Sequence, residues 1–109
     1  MSAEDGGWQV VATLDDVWEG DLKAVEVGSA AVVLVNVGGE IRAYDNRCPH
    51  SGTPLSNGTL NGEVLTCSGH EWVFDCRKGT GINPAGARLR PVLVRVEGEA
   101  ILVRTDADQ

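Results

Sequence analysis

Two short pairs of ligand-type side chains constrain this chain more than any other feature: Cys48-Pro49-His50 and, after sixteen intervening residues, Cys67-Ser68-Gly69-His70. They use both histidines and two of the three cysteines of a 109-residue chain. Within each pair the thiol and the imidazole lie two or three positions apart, so one tight loop presents both. A fold that uses them has to bring two Gly-, Pro- and Ser-rich loops to one place. A structural zinc takes tetrahedral Cys2His2 sets. Zinc modules more often put like ligands in one pair, however, and serve domains too small to build a core. The plainest alternative, core cysteines and surface histidines, leaves unexplained why all four residues fall in two loops at ligand spacing.

A two-iron, two-sulfur centre uses the same four donors differently. If each loop sends its thiolate to one iron and its imidazole to the other, one iron receives Cys48 and Cys67 and the other His50 and His70. The pattern Cys-x-His, sixteen residues, Cys-x-x-His resembles the signature of Rieske-type ferredoxins. The segments His70-Glu71-Trp72-Val73-Phe74-Asp75 and Gly79-Thr80-Gly81-Ile82-Asn83-Pro84 are similar to the strand and third loop that follow the second ligand pair in that family. The likeness covers about Ile41 to Val103. It implies an all-β fold: a Rieske-like antiparallel β-sandwich or barrel base with a small inserted cluster-binding lobe. It also implies one [2Fe-2S] cluster on Cys48, His50, Cys67 and His70.

Length and composition fit that reading. The chain is long enough for one domain with a real core. Three cysteines make no disulfide framework. No leader-like segment opens the chain, and the longest apolar run, Ala30 to Val35, is too short to span a bilayer. The expectation is a cytoplasmic monomer without a membrane role. A net charge of −7 argues against nucleic acid, whose phosphates need a positive footprint. Glu4, Asp5, Asp15, Asp16, Glu19, Asp21 and Glu26 face only Lys23 before residue 40. Such a field serves solubility, and it also steers encounter with the basic faces of redox partners.

Val-, Ile- and Thr-rich runs separated by Gly and Asn turns predict strands. They are expected at Trp8–Thr13, Leu22–Val27, Ala30–Val37, Glu40–Asp45, Glu63–Thr66, Trp72–Asp75, Val92–Val96 and Ala100–Arg104. Gly38-Gly39 and Glu97-Gly98-Glu99 read as hairpin turns. Leu14 to Trp18 reads as a helical turn with Thr13 as its cap. Residues 8–45 and 91–104 then form the base of a single domain spanning 1–109, with residues 46–90 as the lobe. Ser51, Gly52, Ser68 and Gly69 let backbone N–H groups approach the sulfurs and tune the potential.

With neutral histidines the oxidised centre has formal charge zero and the reduced centre −1, so reduction opposes less charge than in an all-thiolate cluster. Neither ligand loop holds an extra cysteine for a bridging disulfide, Glu71-Trp72 follows His70, and the chain is acidic. All three point to the lower part of the roughly −150 to +300 mV range of such centres, below about 0 mV. The resemblance implies a one-electron carrier between an NAD(P)H-dependent flavin reductase and a terminal oxygenase, docking near His50, His70, Trp72 and Pro84. His-x-Trp-x-Phe with Gly-x-Asn-Pro leans toward ferredoxins of di-iron monooxygenases over those of ring-hydroxylating dioxygenases. A nitrite reductase small-subunit-like module and a zinc-stabilised interaction module are the alternatives. No nucleotide-binding glycine fingerprint and no second metal set are present, so no catalytic residue is expected. Cys76, the remaining thiol, is expected as a buried small hydrophobe.

Overall fold

The longest strand shows how the two halves of the protein meet. In the computed structural model, which describes residues 8–27, 30–47, 54–67, 72–83 and 87–104, the run Ala30–Val37 is buried almost end to end. A strand with one wet face alternates apolar and polar; a nearly continuous apolar run needs cover on both faces. Val32 and Leu34 enter a core with Ala12, Val17, Val27, Ala43, Ile101 and Val103. Val33, Val35 and Val37 enter a second core with Tyr44, Leu55, Leu65, Cys67, Phe74, Cys76 and Leu89.

Ten strands are seen among the described residues: β1 (Gln9–Thr13), β2 (Leu22–Val27), β3 (Ala30–Val37), β4 (Glu40–Asp45), β5 (Thr59–Asn61), β6 (Val64–Thr66), β7 (Val73–Asp75), β8 (Thr80–Asn83), β9 (Pro91–Glu97) and β10 (Ala100–Arg104). The first sheet has the order β1-β10-β9-β4-β3-β2. Its edge strands β1 and β2 approach each other, so it curls into a nearly closed barrel around the first core. The second sheet, β5-β6-β7-β8, is drawn wholly from the chain between β4 and β9. It packs on the outer face of β3 and β4 through the second core.

The all-β expectation holds, and the eight strands read from the sequence are present with ends shifted by a residue at most. Two strands were not read. Thr59–Asn61 and Thr80–Asn83 carry Asn and Gly and are too short for an alternation to show; pairing with β6 and β7 makes them strands. The β3–β4 hairpin turns on Gly38 and Gly39, with φ of 63° and 93°, the left-handed pair a two-residue turn requires. The helical turn is shorter than expected, a 3-10 turn over Leu14–Asp16. There the N–H and hydroxyl of Thr13 both donate to the Asp16 carboxylate, at 3.1 and 3.3 Å. Asn36, the buried polar residue of β3, is satisfied: its amide donates to the Val17 carbonyl at 2.9 Å and its oxygen accepts from Gly39 N–H at 2.9 Å.

Candidate metal centre

The register of the small sheet sets where the ligand loops begin and end. Thr59 lies opposite Thr66, Thr66 opposite Val73, and Val73 opposite Asn83. These four residues form one line across the end of the sheet. Cys67 follows Thr66 directly and Trp72 precedes Val73 directly, so the chain carrying His70 leaves and re-enters at that line. Asn83, the last described residue before Pro84, lies on the same line.

The described flanks of the Cys48 and His50 segment approach the same place. Beyond β4, Asn46 N–H donates to the Ala31 carbonyl at 2.9 Å, which fixes the point of departure. The Asn46 side chain then fastens the return of the chain: its oxygen accepts from Ser56 N–H at 2.9 Å and its amide donates to the Ser56 hydroxyl at 3.1 Å. Leu55, one residue earlier, is fully buried in the second core. Gly58 then passes so close to Thr66 that a Cβ there would run into the Thr66 carbonyl. The segments flanking Cys48 and His50 therefore meet the peptide that leads into Cys67.

Cys67 is 1% exposed, and its N–H donates to the Trp72 carbonyl at 2.7 Å, closing the second loop at its base. Trp72 is half-buried against Phe74, ring centroids 6.3 Å apart. Cys48, His50, His70 and Pro84 lie outside the described residues, as do Ser51, Gly52, Ser68, Gly69 and Glu71. What is described fits an iron–sulfur group: a buried thiol in an apolar seat, at the line from which the segment bearing His70 departs and near which the chain after His50 returns.

Cys76 is different in kind. It is fully buried just past β7, and burial, followed by the nearby Asp75 carboxylate, pushes its thiol up to about 12. It stays protonated at neutral pH, and the thiolate is the ligand form. The expectation of a buried small hydrophobe holds. Its carbonyl accepts a 2.6 Å hydrogen bond from the Tyr44 hydroxyl. Burial first, then Cys76, raises the Tyr44 phenol to about 12, with Arg42 opposing. Sequence reasoning passed over Tyr44, Asn46 and Gly58. Asn46, two residues before Cys48, carried the one visible signal, a polar side chain at the mouth of a ligand loop.

A fold of this shape, with a buried thiol at the mouth of a loop, suits a small iron–sulfur electron carrier. The Rieske [2Fe-2S] domain family matches residues 7–92, and the chain belongs to that family. It is 40% identical to the ferredoxin component of the alkene monooxygenase system of Xanthobacter autotrophicus over 97 residues, 88% of this chain and 80% of that protein. The ferredoxin of carbazole 1,9a-dioxygenase from Nocardioides aromaticivorans superposes with a TM-score of 0.81 at 31% identity, covering 91% of this chain and 98% of that one. A solved complex of reduced oxygenase and oxidized ferredoxin in carbazole 1,9a-dioxygenase contains a chain matched at 29% identity, TM-score 0.81, over 90% of this chain and 93% of that one. The protein is a Rieske ferredoxin carrying one [2Fe-2S] cluster, an electron-transfer protein by its relatives. Among the described residues no helix is long and apolar enough to cross a membrane.

Proposed function

We propose that Cys48, His50, Cys67 and His70 hold the cluster, Cys48 and Cys67 on one iron and His50 and His70 on the other. The observation that carries this is the line Thr59–Thr66–Val73–Asn83, from which the Cys67 and His70 segment departs and against which the flank of the Cys48 and His50 segment packs. When bound, the cluster takes up and gives back one electron at a time. The chain's own residues do the rest. Asn46 and the Cys67–Trp72 hydrogen bond hold the loop bases still. The apolar core around Cys67 keeps water from the sulfur side.

In this reading the protein works as a cytoplasmic monomer. It takes single electrons from an NAD(P)H-dependent flavin reductase and passes them to a terminal oxygenase, docking around His50, His70, Trp72 and Pro84. A di-iron monooxygenase system is favoured over a ring-hydroxylating dioxygenase. Supporting it are the 40% identity to the alkene monooxygenase ferredoxin, against 31% to the carbazole dioxygenase ferredoxin, and the motif His70-x-Trp72-x-Phe74. Electron paramagnetic resonance of the dithionite-reduced protein tests the ligand set: mixed nitrogen and sulfur ligation gives a lower average g than an all-cysteine cluster. Zinc in place of iron, or no inorganic sulfide, overturns it. Reconstituted turnover tests the partner: faster electron delivery to a ring-hydroxylating dioxygenase than to a di-iron hydroxylase overturns the monooxygenase assignment.

A further inference from the structure

We infer that Tyr44 is a positioning residue for the ligand-bearing sheet: its hydroxyl and ring dock the β7–β8 turn on the barrel and thereby set how completely Cys67 is enclosed. The inference rests on Cys67 being a cluster ligand. Tyr44 sits in the middle of the base, its backbone paired with Val33 of β3 and Pro91 of β9. Its side chain is 4% exposed and crosses to the small sheet, where the hydroxyl donates to the Cys76 carbonyl at 2.6 Å.

The turn that receives it is rigid on its own account. The Asp75 carboxylate accepts from the N–H groups of Arg77 and Lys78 at 2.8 and 3.3 Å, and Gly79 N–H donates to the Asp75 carbonyl at 2.7 Å. Gly79 has φ of 75°, and a Cβ there would lie 3.0 Å from Tyr44 Cε1 and 3.3 Å from its hydroxyl, so the turn closes on the ring. Cys76 N–H donates to the Glu63 carbonyl at 2.7 Å. Cys76 is thus tied through its N–H to Glu63, just before β6, and through its carbonyl to the barrel.

From Cys76 the three residues of β7 lead to Trp72, whose carbonyl holds the Cys67 N–H at 2.7 Å. That is about 13 Å of extended chain at roughly 3.3 Å per residue. Tyr44 and Cys67 also share one apolar core with Phe74, Leu65 and Leu89. A raised phenol keeps the donor protonated throughout the neutral range. Without the hydroxyl, a buried carbonyl loses its partner and the sheet opens more often. Water then reaches the sulfur side and favours the more negatively charged, reduced form, so the midpoint potential rises.

The test is Tyr44→Phe in the cluster-loaded protein, read by hydrogen–deuterium exchange with peptide mass spectrometry and by potentiometric titration. Exchange in the 63–76 region is expected to quicken about tenfold, β1 and β10 staying as they are, and the midpoint to move upward. Unchanged exchange or an unchanged midpoint overturns the inference, as does quickening spread equally over both sheets, the mark of a purely structural role. Asp75→Ala, which loosens the turn from outside the core, is the second variant should Tyr44→Phe not fold. It is expected to quicken exchange in the same region, and no change there overturns the inference. Exchange reads docking whatever metal is present, so a zinc-loaded protein that still responds sinks only the ligand reading.

Discussion

Replacing Gly58 by alanine tests how the chain returning from the Cys48 and His50 segment packs on the peptide that leads into Cys67. Gly58 has φ of −85° and ψ of −162°, an extended conformation any residue adopts, so backbone strain is not the issue. Space is. The added Cβ would collide with the Thr66 carbonyl oxygen, lie 3.1 Å from the Thr66 carbonyl carbon and lie 3.2 Å from the Leu55 carbonyl oxygen. All three are backbone atoms, so no flexible side chain yields. Overpacking of this kind costs about 1–3 kcal/mol. Lower unfolded-state entropy returns about 0.4–1 kcal/mol. The net loss of about 1–2 kcal/mol lowers the melting temperature by roughly 5–15 °C in a domain of this size. With Cys67 as a ligand, as proposed, the strain also reaches the cluster, because moving the Thr66 carbonyl turns the peptide that presents Cys67 N–H to Trp72. Thermal melts by circular dichroism and the visible spectrum of the oxidised protein are the assays. Gly62→Ala is the control: there φ is 66° but nothing lies within 4 Å, so it costs stability and leaves the spectrum alone. A Gly58→Ala protein with native melting temperature and spectrum would refute the packing argument.

Cys76 makes stability fall at alkaline pH. Its thiol goes from 9.0 when exposed to about 12 when folded, so the folded state holds the proton more tightly. The stabilisation is complete below pH 9.0 and is lost as pH rises toward about 12, up to about 4 kcal/mol at 1.36 kcal/mol per unit. Tyr44 adds a loss that starts only near 10.0. Urea unfolding at pH 9 and 10 should therefore show a decline that Cys76→Ala removes; an equal decline in both proteins contradicts it. Among the thiols, Cys67→Ser should abolish or scramble the visible spectrum, whereas Cys76→Ser should preserve it; the reverse pattern means the ligands are misassigned. The midpoint potential should fall below about 0 mV by potentiometric titration, and a value above about +100 mV defeats the argument from acidity and loop composition.

The proposed ligand set is read from the sequence because its chemistry is local. A cysteine and a histidine two or three residues apart share a loop whatever the rest of the chain does, and the family likeness rests on those pairs. Tyr44, by contrast, reads as an ordinary strand aromatic. Nothing near it in sequence says that its hydroxyl finds Cys76, thirty-two residues on. Gly58 reads as a turn glycine, but its φ is negative, and it is needed for want of room beside Thr66.

By itself the sequence determined the strand periodicity, the glycine pair of the β3–β4 hairpin and the donor types, because each depends on neighbours a few residues apart. Tertiary structure alone decided which core covers each face of Ala30–Val37, that Thr59–Asn61 and Thr80–Asn83 become strands, and that the Tyr44 hydroxyl meets the Cys76 carbonyl. Those outcomes depend on which distant surfaces exclude water together. Burial and pairing partners belong to the assembled sheets, and no single segment carries them.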